Sequence, residues 1–155
     1  MVPGFISTFW TQWLRPMLRR PRPLQVAALC RRSNPEDGAS QILLVTSKGS
    51  GRWILPKGWP GRKRDGPRTA LAEAWEEAGL QGARVLEEPV GEYEGAKGHE
   101  GGLVERCRVI VYAVEGGRLV DDFPEAGKRR RRWVGPVEAS RMVEEPSLRD
   151  FLASL

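Results

Sequence analysis

Gly66-Pro67-Arg68-Thr69-Ala70-Leu71-Ala72-Glu73-Ala74-Trp75-Glu76-Glu77-Ala78-Gly79-Leu80 is a helix written between its own start and stop signals. Pro67 suits the first helical position, where its missing N–H costs nothing, and Gly79 suits the position just past the last turn. At about 100° per residue, Ala70, Leu71, Ala74, Trp75 and Ala78 fall on one arc, with Glu73, Glu76 and Glu77 on the other. The spacing predicts a helix that packs through an apolar face and carries three carboxylates, at i, i+3 and i+4, on one exposed patch. Like charges so placed destabilise a bare helix by roughly 0.2–0.5 kcal/mol per pair. No Lys or Arg stands near them in the helix, so a hard divalent cation with oxygen ligands is the natural counter-charge. Taken alone, the triplet reads equally as an ordinary solvated helix face.

Outward from this helix the chain reads mostly as strands. Gln25–Arg32 and Gln41–Lys48 are apolar strand-like runs, separated by the turn Ser33-Asn34-Pro35-Glu36-Asp37-Gly38. Arg52–Pro60 is too rich in Pro and Gly for a helix. Downstream, Arg84–Glu94 and Glu105–Glu115 read as strands, Gly116-Gly117 as a turn and Arg130–Val134 as a further strand. Pro136–Val143 and Pro146–Leu155 read as helices. Gly95-Ala96-Lys97-Gly98-His99-Glu100-Gly101-Gly102 reads as a loop, either one able to close over a substrate or a plain hairpin connection. Strands mixed with a few helices indicate a single α+β domain, an α/β/α sandwich, over residues 24–155.

The bulk properties exclude several classes. At 155 residues with 40% hydrophobic and 29% charged residues, the chain has the composition of one soluble domain rather than of a disordered one. Cys30 and Cys107 both sit in strand-like runs and suit buried thiols of a reducing, cytoplasmic setting, not a disulfide framework or a zinc site. His99 is the single histidine, so carboxylates must do any metal binding. Residues 1–23 form an N-terminal extension, partly helical or disordered. Its Phe, Trp and Leu residues precede Arg15, Arg19 and Arg20, the reverse of a secretory signal, and the stretch is too short and polar to span a bilayer. Packing on the domain is the plain reading of this extension, and a peripheral membrane contact the sharper one.

The helix and the Trp53-Ile54-Leu55-Pro56-Lys57-Gly58 approach to it together resemble the Nudix box. That box runs Gly, five residues, Glu, seven residues, then Arg-Glu-U-x-Glu-Glu-x-Gly-U, with U a bulky aliphatic. Gly58 and Glu73 through Leu80 stand at its spacing. Lys128–Trp133 resembles the basic segment of the diphosphoinositol polyphosphate phosphohydrolase branch, and the resemblance covers about residues 24–145. It implies the Nudix fold, a mixed β-sheet between helices. It also implies hydrolysis of a phosphoanhydride with Mg2+ or Mn2+ held by Glu73, Glu77, Glu76 and the carbonyl of Gly58. The same glutamates would be the catalytic residues. The sequence departs from the box at Arg64, where the family has Glu, at Ala72, where it has an Arg that orients the carboxylates, and mildly at Ala74.

A highly phosphorylated substrate needs many cationic donors. The candidates are Arg52, Lys57, Lys97, His99, Arg106, Lys128, Arg129 and Arg130, together with the Arg62–Arg64 loop. In a strand, alternate residues face opposite ways, so part of the 128–132 run should face solvent. The resemblance implies a diphosphoinositol polyphosphate or a diadenosine polyphosphate as substrate, with nucleotide or nucleotide-sugar diphosphates behind them. A nucleobase would want an aromatic platform such as Trp59 or Tyr93. No obligate nucleic acid is expected. The net charge of +5 and Ala72 leave one rival, a non-catalytic polyanion- or RNA-binding module on the same fold.

Overall fold

A computed structural model describes residues 23–61, 64–98 and 104–155. The elements run β1 (Leu24–Ser33), β2 (Ser40–Thr46), β3 (Trp53–Ile54), β4 (Lys57–Gly58), α1 (Gly66–Ala78), β5 (Leu80–Gly98), β6 (Val104–Leu119), β7 (Arg131–Val134), α2 (Pro136–Met142) and α3 (Pro146–Ala153). The sheet order is β3-β2-β1-β6-β5, with β4 against β1 and β7 against β2. β1 and β6 pair in parallel from Leu24↔Arg108 to Arg31↔Glu115. The other named pairs are antiparallel, so the sheet is mixed as expected.

The alternation of β1 places the sheet between two layers of helix. Val26, Ala28 and Cys30 pack with Leu43, Val45 and the α1 alanines Ala70, Ala74 and Ala78. Ala27 and Leu29, pointing the other way, pack with Ile42, Leu44 and with Ala139, Leu148 and Leu152 of the α2–α3 layer. The three alanines are fully buried, and their small size lets α1 lie close on the sheet. Trp75, which spacing puts on the same arc, is only half-buried. Asp65 caps α1 by accepting from the Arg68 amide at 2.9 Å, Pro67 lies in the first turn and Gly79 ends the helix at φ 69°. Cys30 and Cys107 are both buried, and burial pushes the Cys30 thiol up to about 12.

Three sequence expectations are corrected. The pair Gly116-Gly117 does not reverse the chain. It lies within β6, whose pairing with β5 continues to Leu80↔Leu119, so β5 starts directly after α1 rather than at Arg84. Both glycines do have the positive φ that made them look like a turn, and a Cβ at Gly117 would lie 2.7 Å from the Gln81 carbonyl oxygen. Residues 95–98 are strand, not loop, paired with 104–107. The remaining part of the expected loop, with His99, lies outside the described residues, as does the N-terminal extension over 1–22. Among the described residues no helix is long and apolar enough to cross a membrane.

Candidate active site

Short β4 joins the carboxylate helix to the sheet. It pairs with β1 through Val26↔Gly58 and Ala27↔Lys57. The Lys57 amide donates to Glu77 Oε2 at 3.3 Å. Gly58 faces Glu73 so closely that a Cβ there would collide with the Glu73 carboxylate. Glycine at the head of the box lets the chain pass against a charged side chain that any larger residue would displace.

The three glutamates do not share one exposed patch. On an α-helix Glu77 lies about 40° to one side of Glu73 and Glu76 about 60° to the other. Glu77 is accordingly turned under the helix and is only 6% exposed. Glu76 is turned outward, where Arg64 Nη1 lies 3.5 Å from its Oε1. The residue in place of the family's early Glu thus supplies a cation to the helix. Buried Glu77 and outward-facing Glu76 thus correct the expectation that all three carboxylates share one exposed patch.

Glu73 and Glu77 do meet at β4, Glu73 against Gly58 and Glu77 against the Lys57 amide, and each influences the ionisation of the other. Burial pushes the Glu77 carboxyl up to about 8, opposed by Arg129 and the Lys57 amide and reinforced by Glu73 and Glu125. Glu73 is raised as well, first by burial and then by the neighbouring charges of Glu76 and Glu125. A half-buried and a buried carboxyl that ionise reluctantly side by side suit an added cation. Mg2+ is commonly held by one or two carboxylates, leaving its other positions to substrate phosphate and water. The Glu73–Glu77 pair fits that donor set.

Sequence reasoning missed the acid that completes this neighbourhood. Glu125 lies between β6 and β7, and its amide donates to the Glu76 carbonyl at 3.1 Å. Its carboxylate takes the Arg129 Nε at 2.9 Å and an ion pair from Lys48. Burial alone would raise Glu125, but hydrogen bonds from Lys48 and Arg129 hold it below the usual carboxylate range. The signal was present only as Glu125 and Arg129 four residues apart, a spacing common on any surface.

The basic run divides by direction. Arg129 goes inward, with Nη2 3.1 Å from Glu77 Oε1 and Nη1 2.9 Å from the Thr46 carbonyl. Arg131 donates to the Ala78 and Val120 carbonyls at 2.8 and 2.6 Å and so ties down the end of α1. Arg130 stacks over Trp53, Arg132 pairs with Glu138 and Lys128 is exposed. Of the proposed phosphate-binding cations, Arg52 and Lys57 are brought together in the wall of one cavity of about 370 Å³ with Gln25, Ser47, Ser50 and Glu145. Arg106 is not in that wall but pairs in register with Ala96, which is, and it is largely exposed and 3.6 Å from Glu94. Lys97 lies on β5. Neither proposed aromatic platform is in that wall. Tyr93 is a core residue against Phe151, and Trp59 is exposed.

The fold and this box have known counterparts. The NUDIX domain family matches residues 23–155. Nudix hydrolase 16, mitochondrial, of Arabidopsis thaliana is 29% identical over 123 residues, covering 77% of this chain and 67% of that protein. Human diphosphoinositol polyphosphate phosphohydrolase 3-beta is 28% identical over 136 residues, covering 84% of this chain and 76% of that protein. The crystal structure of the C. elegans Ap4A hydrolase superposes with a TM-score of 0.60 at 14% identity, over 86% of this chain and 95% of that one. The chain belongs to the Nudix family and is a Nudix pyrophosphohydrolase.

Proposed function

We propose that the chain is a divalent-metal-dependent hydrolase of a phosphoanhydride in a highly phosphorylated small molecule, a diphosphoinositol polyphosphate or a diadenosine or nucleoside polyphosphate. The observation that supports this reading is the pairing of half-buried Glu73 with buried Glu77, pressed against Gly58 and the Lys57 amide. Mg2+ or Mn2+, held there with the Gly58 carbonyl alongside, would neutralise phosphate oxygens and lower the pKa of a water. Phosphoryl transfer asks a protein chiefly for positioning and charge neutralisation. In this chain Arg52 and Lys57 bind the phosphates, and Arg129 and the Lys57 amide fix the Glu77 carboxylate. The reaction exchanges one bridging P–O bond for a bond to the water oxygen, and the departing phosphate takes the proton.

A second reading has its own support. Arg129 pairs with Glu77 and Arg64 with Glu76, so two of the carboxylates already face a protein cation. A polyanion- or RNA-binding module would need no more. The test is a panel of diphosphoinositol, diadenosine and nucleoside polyphosphates, each incubated with Mg2+, Mn2+ or EDTA and followed by product release. The hydrolase reading expects metal-dependent turnover of at least one member. Absence of turnover on every member, with RNA bound in a steeply salt-dependent way, would favour the module.

A further inference from the structure

The cavity that holds Arg52 and Lys57 carries more than phosphate-binding cations. Gln25 and Glu145 stand in the same wall as Arg52 and Lys57. Gln25 is 6% and Glu145 8% exposed, and Gln25 Oε1 and Glu145 Oε2 are both buried without a hydrogen-bond partner. A buried acceptor left unmet costs far more than a made hydrogen bond gains, and most of all when it belongs to a carboxylate. Local structure does not account for Glu145. It occupies the N-cap position of α3, yet its side chain makes no capping hydrogen bond.

Both residues are placed by the fold. Gln25 precedes Val26 on β1 and so belongs with Ala27 and Leu29 on the sheet face that α2 and α3 cover. Glu145 enters that layer from the α2–α3 junction. Lys57 reaches the same point, because a Cβ built on Gly95 would lie 3.4 Å from Lys57 Nζ and 3.6 Å from Glu145 Oε2. The Lys57 amide meanwhile contacts Glu77. A single residue of β4 therefore spans from this cavity to the carboxylate pair.

We propose that Gln25 and Glu145 form a donor-reading subsite next to the phosphoanhydride centre. It selects a substrate whose ring carries free hydroxyl or amino hydrogens beside its phosphates and disfavours a ring phosphorylated at every position. The inference rests on the hydrolase reading of the same site and narrows it. A phosphate at neutral pH offers mainly acceptor oxygens and negative charge, so it suits Lys57 and Arg52 but is repelled by Glu145. A hydroxyl or amino group suits Glu145 and Gln25. A site whose buried acceptors must be met rejects a ligand lacking the donors, because those acceptors then stay unpaired.

The test measures binding without turnover, by calorimetry in EDTA, for three probes: adenosine diphosphate, an inositol trisphosphate with three free hydroxyls, and inositol hexakisphosphate with none. Glu145→Leu and, separately, Gln25→Leu are expected to weaken at least one donor-bearing probe by about tenfold or more. Neither should weaken the hexakisphosphate, and Glu145→Leu should strengthen it. Which donor-bearing probe responds identifies the source of the donors, a nucleoside or a partly phosphorylated polyol. Equal weakening of all three probes, or no change with either variant, would overturn the subsite. Metal-dependent turnover is scored separately. Its loss with the probe selectivity intact would remove the hydrolase reading, and turnover with the selectivity absent would remove the subsite alone.

Discussion

Arg129 and Glu77 form an ion pair of 3.1 Å between side chains that are 9% and 7% exposed. In the family pattern an arginine directly before Glu73 orients the carboxylates, and this chain has Ala72 there. Arg129 reaches the same helix from the segment between β6 and β7, and also holds Glu125 and the Thr46 carbonyl. Arg129→Ala is expected to lower kcat by about 10- to 100-fold, the usual effect of losing a residue that orients a ligand. Removing one partner of a buried pair is strongly destabilising. Protonation of Glu77 relieves part of that, leaving a loss of about 2 kcal/mol by denaturant unfolding. Arg129→Lys, which keeps the charge but not the three directed contacts, should fall between. An unchanged kcat in Arg129→Ala would contradict this role.

Glu77 makes metal-free stability depend on pH. Its carboxyl is raised by burial from 4.5 to about 8, so the folded chain keeps a proton that the unfolded chain releases. The stability this contributes is complete below pH 4.5 and is lost as pH rises through 8. In EDTA, the Tm of the wild type relative to Glu77→Gln should therefore fall as pH rises across that window. Saturating Mg2+ should flatten the fall, because a bound cation favours the ionised carboxylate. A Tm difference that rises with pH would be the wrong sign.

Gly58→Ala tests the close approach to Glu73. The added methyl must displace the carboxylate or move β4 away from β1. Turnover should drop by about 100-fold, on the scale of a misplaced catalytic geometry. The protein should remain folded by circular dichroism. Activity within twofold of wild type would show that Glu73 need not lie against residue 58.

Arg131 and Arg130 are neighbours with different work. Arg131→Ala leaves the carbonyls of Ala78 and Val120 without its guanidinium and should cost about 1–2 kcal/mol in urea unfolding, with kcat little changed. Arg130→Ala and Lys128→Ala remove exposed cations and should shift stability by no more than about 0.5 kcal/mol. Equal destabilisation by all three would mean that the run acts as one patch.

What was legible in the sequence is what local rules determine. Pro67, the alanine arc and Gly79 placed α1 almost to the residue, and the apolar runs of β1 and β2 gave the centre of the sheet. The glycine pair at 116–117 misled because positive φ serves a strand distortion as well as a turn, and only the facing strand β5 decides which. In the site, spacing put Glu73, Glu76 and Glu77 on one side of the helix. It could not show that the sheet beneath would bury Glu77 while Arg64 drew Glu76 outward. Arg129 and Glu125, Gln25, and Glu145 reach the site from three separate segments. Their roles depend on long-range pairing such as β1 with β6, which no local pattern encodes.

The most direct test of the account is phosphate release by wild type and Glu77→Gln on the best substrate of the panel, titrated with Mg2+ from EDTA to saturation. The account predicts wild-type turnover that rises from baseline with Mg2+, and a Glu77→Gln rate lower by at least about 100-fold at saturation. Wild-type turnover in EDTA, or a Glu77→Gln enzyme that matches wild type at saturating Mg2+, would contradict it.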